Sequence, residues 1–272
     1  MPADRAAFRE KLTTKTIIAP GVYDGLSARL ADSVGFDALY LSGYGVSASQ
    51  LAKPDNGFLT LADMRLRIES ICAAISTPLI ADADTGFDDI GATVQAYENA
   101  GAAGIQIEDQ QVPKICGHIP GREVIARDEA VAKIANAVAA RQDDDFLIVA
   151  RTDAREQNGI DEAIERGRLF AKAGADILFI ESPESEDEFR QIGDALGDMP
   201  LLANMVEGGR SPLLAREKLV EMGFNFIIYP VAAMAASAAA LTAAYQHLLE
   251  GEPKGARVSF QELSHMVGFP EK

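Results

Sequence analysis

The sequence predicts an α/β protein built as one (β/α)8 barrel of the TIM type, and three observations carry that reading. Four stretches share a pattern: VGFDALYLS (34–42), AGAAGIQIE (100–108), AGADILFIE (173–181) and MGFNFIIYP (222–230) each place Gly second and then run through apolar residues. Four further apolar runs of the same character lie between them: TIIAP (16–20), PLIADAD (78–84), FLIVART (146–152) and PLLANM (200–205). Helical patterns separate the eight runs, and alternating strands and helices imply a parallel sheet with right-handed crossovers.

The shared Gly reads as a helix C-terminal cap, because the left-handed conformation costs Gly little. The apolar run after it reads as a strand buried on both faces. In chain order, a charged helical start (MPADRAAFREKL) precedes the first strand. Helices are then expected over 25–34, 61–75, 90–100, 127–141, 161–173, 186–196, 213–222 and 232–249, each between two strands or after the last. Eight such units close on themselves. The Ala-rich VAAMAASAAALTAAYQHLL reads as a closely packed, buried eighth helix. No linker divides the chain, so 1–272 reads as a single domain. Residues 250–272 are left over after the eighth helix, and SFQELSHMVGF within them is expected to form a short helix at a subunit contact.

The chain has 272 residues, 48% of them hydrophobic, enough for a barrel-sized core. Its net charge of −16 arises from 41 acidic and 25 basic residues with no basic run, which argues against nucleic acid and anionic membrane as partners. Two cysteines make no disulfide framework, and no secretory signal or membrane span is legible, so a cytoplasmic setting is expected.

In a barrel of this kind the C-terminal ends of the strands face the reaction site. The second strand ends at Tyr40, Ser42 and Gly43, the third at Asp82 and Asp84, and the fourth at Glu108. The fifth ends at Arg151, the sixth at Glu181, the seventh at Asn204 and the eighth at Tyr229 and Pro230. Asp82, Asp84 and Glu108 are hard oxygen donors whose mutual repulsion a cation would relieve, with Mg²⁺ the natural candidate and Mn²⁺ a substitute. Asp84 is equally placed to bond backbone amides near the next helix. Arg151 offers a planar fork suited to a substrate carboxylate, or to Glu181 or Asp153 across the rim.

The stretch EDQQVPKICGHIPGREV (108–124) follows the fourth strand and exceeds the usual strand-to-helix length of about 2–6 residues, as a water-excluding lid would. Within it, Lys114 and His118 flank Cys116 and are expected to lower its pKa from about 8.5. A plain loop cysteine is the alternative, and Cys72, in a helical pattern, reads as core.

DADTGF, IEDQQVPKICGH, VARTDAR, ADILFIE and LANMVEGG together resemble the isocitrate lyase and phosphoenolpyruvate mutase superfamily over residues 17–244. The resemblance implies a (β/α)-barrel with a C-terminal helix swapped between subunits of a homotetramer (a dimer of dimers). It implies Asp82 as the direct Mg²⁺ ligand, with Asp84, Glu108 and Asp55 holding the metal's waters. Ser42, Gly43 and Tyr44 match the segment that binds the 2-oxo-acid half of the substrate, and Arg151 the substrate-binding arginine. Tyr40, Glu181 and Asn204 match pocket residues, and Tyr40 or a carboxylate near the metal would be the initial base. Lys114, Cys116, Gly117 and His118 match the lyase signature Lys-x-Cys-Gly-His. Cys116, where phosphorus–carbon enzymes carry Asn, implies carbon–carbon cleavage of a 2-alkylmalate, 2,3-dimethylmalate or methylisocitrate-type substrate. Val206 stands where methylisocitrate lyases have Thr, and Pro230 where oxaloacetate hydrolases have Ser. Oxaloacetate hydrolysis or decarboxylation and phosphonopyruvate chemistry are the alternatives on the same scaffold.

Overall fold

A computed structural model describes residues 4–251 and 254–269. Each of the four predicted glycines ends its helix with positive φ, as at Gly35 (φ 90°), and turns the chain directly into a strand. The strands are β1 (Ile17–Val22), β2 (Leu39–Leu41), β3 (Leu79–Asp82), β4 (Gly104–Glu108), β5 (Leu147–Thr152), β6 (Ile177–Ile180), β7 (Leu201–Asn204) and β8 (Phe224–Tyr229). Each is parallel to its sequence neighbours, and β8 returns to β1, with Ile17 opposite Phe226, to close the barrel.

The predicted helices form where the apolar spacing placed them. Gly25–Val34, Glu186–Leu196 and Ala232–Leu249 match end for end, whereas Leu61–Cys72 and Arg216–Glu221 are shorter than expected. Side-chain caps fix several starts: Asp24, Thr60, Asp89 and Ser185 each accept a backbone N–H of the first turn. Two short helices, Gly43–Val46 and Arg155–Asn158, were not expected.

The core has two layers. One lies between the sheet and the surrounding helices. The other fills the barrel itself, with Ile17, Ile80, Leu147, Val149, Ile177, Phe179 and Phe226 pointing inward. The N-terminal helix Arg5–Thr14 belongs to this inner layer. Phe8 and Leu12, one helical turn apart, enter the N-terminal end of the barrel, and the Phe8 ring lies edge-on to Phe226 with centroids 6.4 Å apart. Arg5 ties the same helix down through Ala102 O (3.0 Å), Glu98 O (2.8 Å) and the face of Phe146. Phe8→Ala should therefore cost about 3–5 kcal/mol in urea denaturation; a cost below about 1 kcal/mol would show that the helix is no plug.

The Ala-rich helix is a correction. None of its residues is buried, and Tyr245 and Leu249 are 65% and 90% exposed. Alanines make a helix apolar on all sides, but one chain covers only the stripe through Met234, Ser237, Ala244 and His247. Helix Phe260–Met266 forms as expected and is likewise unburied, with Phe260 86% exposed. Among the described residues no helix is long and apolar enough to cross a membrane.

Candidate active site

The C-terminal ends of the strands converge on one cavity of about 530 Å³. Tyr40, Ser42, Tyr44, Asp55 and Asp82 line it from the β2–β3 side. Arg151, Glu181 and Asn204 line it from β5, β6 and β7, and Cys116, Gly117 and His118 cover it from the loop after β4. Gly43 and Asp84 contact Asp82, Lys114 contacts Asp55, and Glu108 lies beside Arg151, so each touches a lining residue without lining the cavity itself.

Among the candidate metal-binding carboxylates Asp82 accepts the most hydrogen bonds. It accepts from Gly43 N (3.3 Å), Asp84 N (3.1 Å) and Gln106 Nε2 (3.0 Å). A Cβ at position 43 would lie 2.8 Å from Asp82 Oδ2, so the close approach of this backbone requires glycine. Ser42 starts the short helix behind it, its Oγ accepting from Gly45 N (3.2 Å).

Gln106, an inward residue of β4, is a site residue that the motif reading missed. It accepts the Tyr40 hydroxyl at 2.5 Å while donating to Asp82. Its signal was a polar residue in the middle of an otherwise apolar strand. Burial, and then the charge of Asp82, push the Tyr40 phenol well above its ordinary value of 10.0. Tyr40 is thus a committed donor, poorly suited to the role of base.

Lys114 and His118 do not activate the thiol as expected. The Lys114 ammonium sits between Asp55 Oδ1 (2.5 Å) and Asp84 Oδ1 (2.6 Å) and is only 5% exposed. Burial opposes its charge, but the carboxylates of Asp84, Asp55, Glu108 and Asp82 outweigh it and raise its pKa further. Burial lowers the pKa of His118, which leaves the ring neutral, and His118 Nδ1 accepts from Arg210 N at 3.1 Å. Burial likewise pushes the Cys116 thiol up, so at neutral pH it carries its proton. Cys72 packs against the core as expected, its thiol raised by burial to about 11.

Arg151 meets the rim partners expected of it, Asp153 and Glu181. Its Nε and Nη2 donate to the two oxygens of Asp153 (2.9 Å each). Glu108 Oε2 and Glu181 Oε2 each lie 3.4 Å from it, and Phe179 lies under its guanidinium. Asp153 holds two of the five N–H donors and fixes the guanidinium plane at the cavity wall. Burial opposes ionisation of Glu181, yet the nearby charges, Arg151 foremost, hold it at about 2. Asn204 Nδ2 donates to Glu181 Oε2 at 3.1 Å.

The donor set suits a hard cation. Asp82 and Glu108 are raised, and Asp84 is lifted to about 7, because burial and repulsion from neighbouring carboxylates outweigh the opposing charge of Lys114 and, for Asp82 and Glu108, of Arg151. Glu108 Oε1 is buried with no hydrogen-bond donor. Among the described residues no three His, Cys, Asp or Glu side chains gather tightly enough to ligate an ion together. Few direct carboxylate ligands, with the remaining positions taken by water, form an arrangement that Mg²⁺ accepts.

A closed barrel that assembles carboxylates, an oriented arginine and a loop-borne thiol at the C-terminal mouth of its strands is an enzyme site for a small anionic substrate. The chain belongs to the phosphoenolpyruvate mutase/isocitrate lyase superfamily: the family described as Phosphoenolpyruvate phosphomutase matches residues 8–249. It is 46% identical to 2,3-dimethylmalate lyase of Eubacterium barkeri over 97% of this chain and 94% of that one. It is 44% identical to 2-methylisocitrate lyase of Aeropyrum pernix over 86% of this chain and 76% of that one. A crystal structure of 2,3-dimethylmalate lyase superposes with a TM-score of 0.93 at 41% identity, covering 98% of this chain and 92% of the other.

Proposed function

We propose that the protein is a carbon–carbon lyase that cleaves a 2-hydroxy-2-alkyl-succinate to a 2-oxo acid such as pyruvate and a carboxylate. One observation carries the reading: the Cys116 thiol, which burial favours in its protonated form, faces the same cavity as Arg151 and Asp82. The similarity to 2,3-dimethylmalate and 2-methylisocitrate lyases supports it. The cavity also has an apolar wall, including Ile119, Val206, Pro230, Val231 and Met234, suited to alkyl substituents rather than a third carboxylate.

The segment Ser42–Tyr44 and Arg151 bind and orient the substrate's carboxylate ends. Asp82 would hold Mg²⁺ (or Mn²⁺) directly, and Asp84, Glu108 and Asp55 would hold its waters. When bound, the ion supplies Lewis-acid stabilisation of developing negative charge. The C2 hydroxyl proton passes to a carboxylate of this cluster, since Tyr40 is already donating to Gln106. The C2–C3 bond breaks, its electron pair remains on the carboxylate fragment as an enediolate, and Cys116 donates its proton to that carbon. The loop over the cavity excludes water from the carbanion.

The exposed apolar faces of Ala232–Leu249 and Phe260–Met266 support a homotetramer in which these helices cross between subunits. Two free cysteines fit a reducing, cytoplasmic setting. The decisive assay offers 2-methylmalate, 2,3-dimethylmalate, methylisocitrate, oxaloacetate and phosphonopyruvate with product identification. Pyruvate plus a carboxylate from an alkylmalate is expected. Preferential turnover of oxaloacetate or phosphonopyruvate would overturn the assignment in favour of hydrolysis, decarboxylation or phosphorus–carbon chemistry.

A further inference from the structure

Arg122 lies at the far end of the loop that carries Cys116, is charged, and is 1% exposed. A charge so buried is retained only with partners on several sides. Its Nε donates to Glu156 Oε2 (2.7 Å), and its Nη1 donates to Asp153 Oδ1 (2.9 Å) and to the carbonyl of Gly117. The Ser182 hydroxyl lies 2.8 Å from the same carbonyl. Gly117 is the residue between Cys116 and His118.

Asp153 is the hinge of the arrangement. The carboxylate that grips Arg151 through two hydrogen bonds is also the one that holds Arg122. Gly117 is pressed so closely on this unit that a Cβ there would lie 2.4 Å from Arg151 Nη2 and 2.9 Å from the Glu181 carboxyl. The loop has other anchors: Lys114 pairs with Asp55 and Asp84, His118 Nδ1 accepts from Arg210 N, Gly121 N donates to Glu156, and at the stem Gln111 N donates to Glu123 O (2.8 Å) and Ile125 N to Asp109 O (2.9 Å). Among the described residues the Gly117 carbonyl, next to the thiol, accepts only from Arg122 and Ser182.

We propose that Arg122 is a positioning residue: it clamps the Gly117 carbonyl to Asp153 and so sets the Cys116 thiol in register with Arg151. Its relevance to catalysis rests on the proposed role of Cys116 as proton donor. The clamp itself does not. A lysine cannot replace it, because a single ammonium lacks the planar fork that spans Glu156 and Asp153 together.

The test is iodoacetamide labelling of the full-length protein, read by mass spectrometry at Cys116 with Cys72 as internal reference. Arg122→Met is expected to raise the Cys116/Cys72 labelling ratio at least about tenfold. It should lower kcat about 10²-fold with a much smaller change in KM, since misplacing a reacting group by about an ångström has that effect. Arg122→Lys should share most of both changes. An unchanged ratio in a folded Arg122→Met protein overturns the proposal, as does a parallel rise at both cysteines, which would report general loosening. If Arg122→Met does not fold, Glu156→Gln loosens the outer half of the clamp with Arg122 in place. A severalfold rise in the ratio then supports the proposal, and no rise overturns it. Because labelling needs no turnover, failure of the lyase reading and failure of the clamp give different results.

Discussion

Asp82→Ala should reduce turnover to background, a loss of at least about 10³-fold, and remove dependence on divalent cations in the same step. Asp82 lines the cavity while gathering Gly43 N, Asp84 N and Gln106 Nε2 around it. The neighbouring carboxylates carry a second consequence. A carboxyl whose folded pKa is raised binds its proton more tightly in the folded state than in the unfolded one. Cation-free protein should therefore lose stability as pH rises from about 4 through about 7, the span over which Asp84 moves from its ordinary 3.8 to about 7. Mg²⁺ should restore that stability and raise Tm at pH 7 for the natural protein. For Asp82→Ala the increment should vanish, as should Mn²⁺ binding by calorimetry. A folded variant that keeps Mg²⁺-dependent activity would show that another group holds the ion.

The residues that make this prediction possible were legible in sequence because barrel geometry is local. A helix-capping glycine starts each of four strands a few residues later, and the strands' C-terminal ends lie at the mouth. Asp82 and Glu108 end β3 and β4, Arg151 is one residue short of the end of β5, and the ladder sets Glu108 opposite Arg151 and Asp82 opposite Gln106. What the sequence concealed depends on return of the loop. Lys114 finds Asp55 across 59 residues, and Arg122 finds Asp153 across 31. No spacing rule announces such pairs, and so Lys114 was read as an activator of Cys116 rather than as the counter-charge of Asp55 and Asp84. The Ala-rich helix failed for a different reason. Composition records that a surface is apolar, but not whether the same chain covers it.

Cys116→Ser should lower turnover on the best alkylmalate by about 10²–10⁴-fold, the range for loss of a positioned general acid. Serine keeps the shape and a proton, but its hydroxyl is a far weaker acid than a thiol. The environment of Cys116 favours the donor form: burial pushes the thiol up against the opposing His118 backbone N–H and Arg151, and Lys114 is consumed by two carboxylates. The sign of the pH dependence follows. A general acid works only while protonated, so activity should hold at neutral pH and fall as pH rises through a thiol pKa displaced above its ordinary 9.0. The serine variant should lose this alkaline limb while binding pyruvate as before. In deuterated water the natural enzyme should place one deuteron on one face of the carboxylate product, because a fixed thiol delivers from one side. The variant's residual product should be scrambled, since solvent then protonates the enediolate. Undiminished turnover, or stereospecific labelling that survives the substitution, would assign the proton to another group and leave Cys116 as a wall of the cavity.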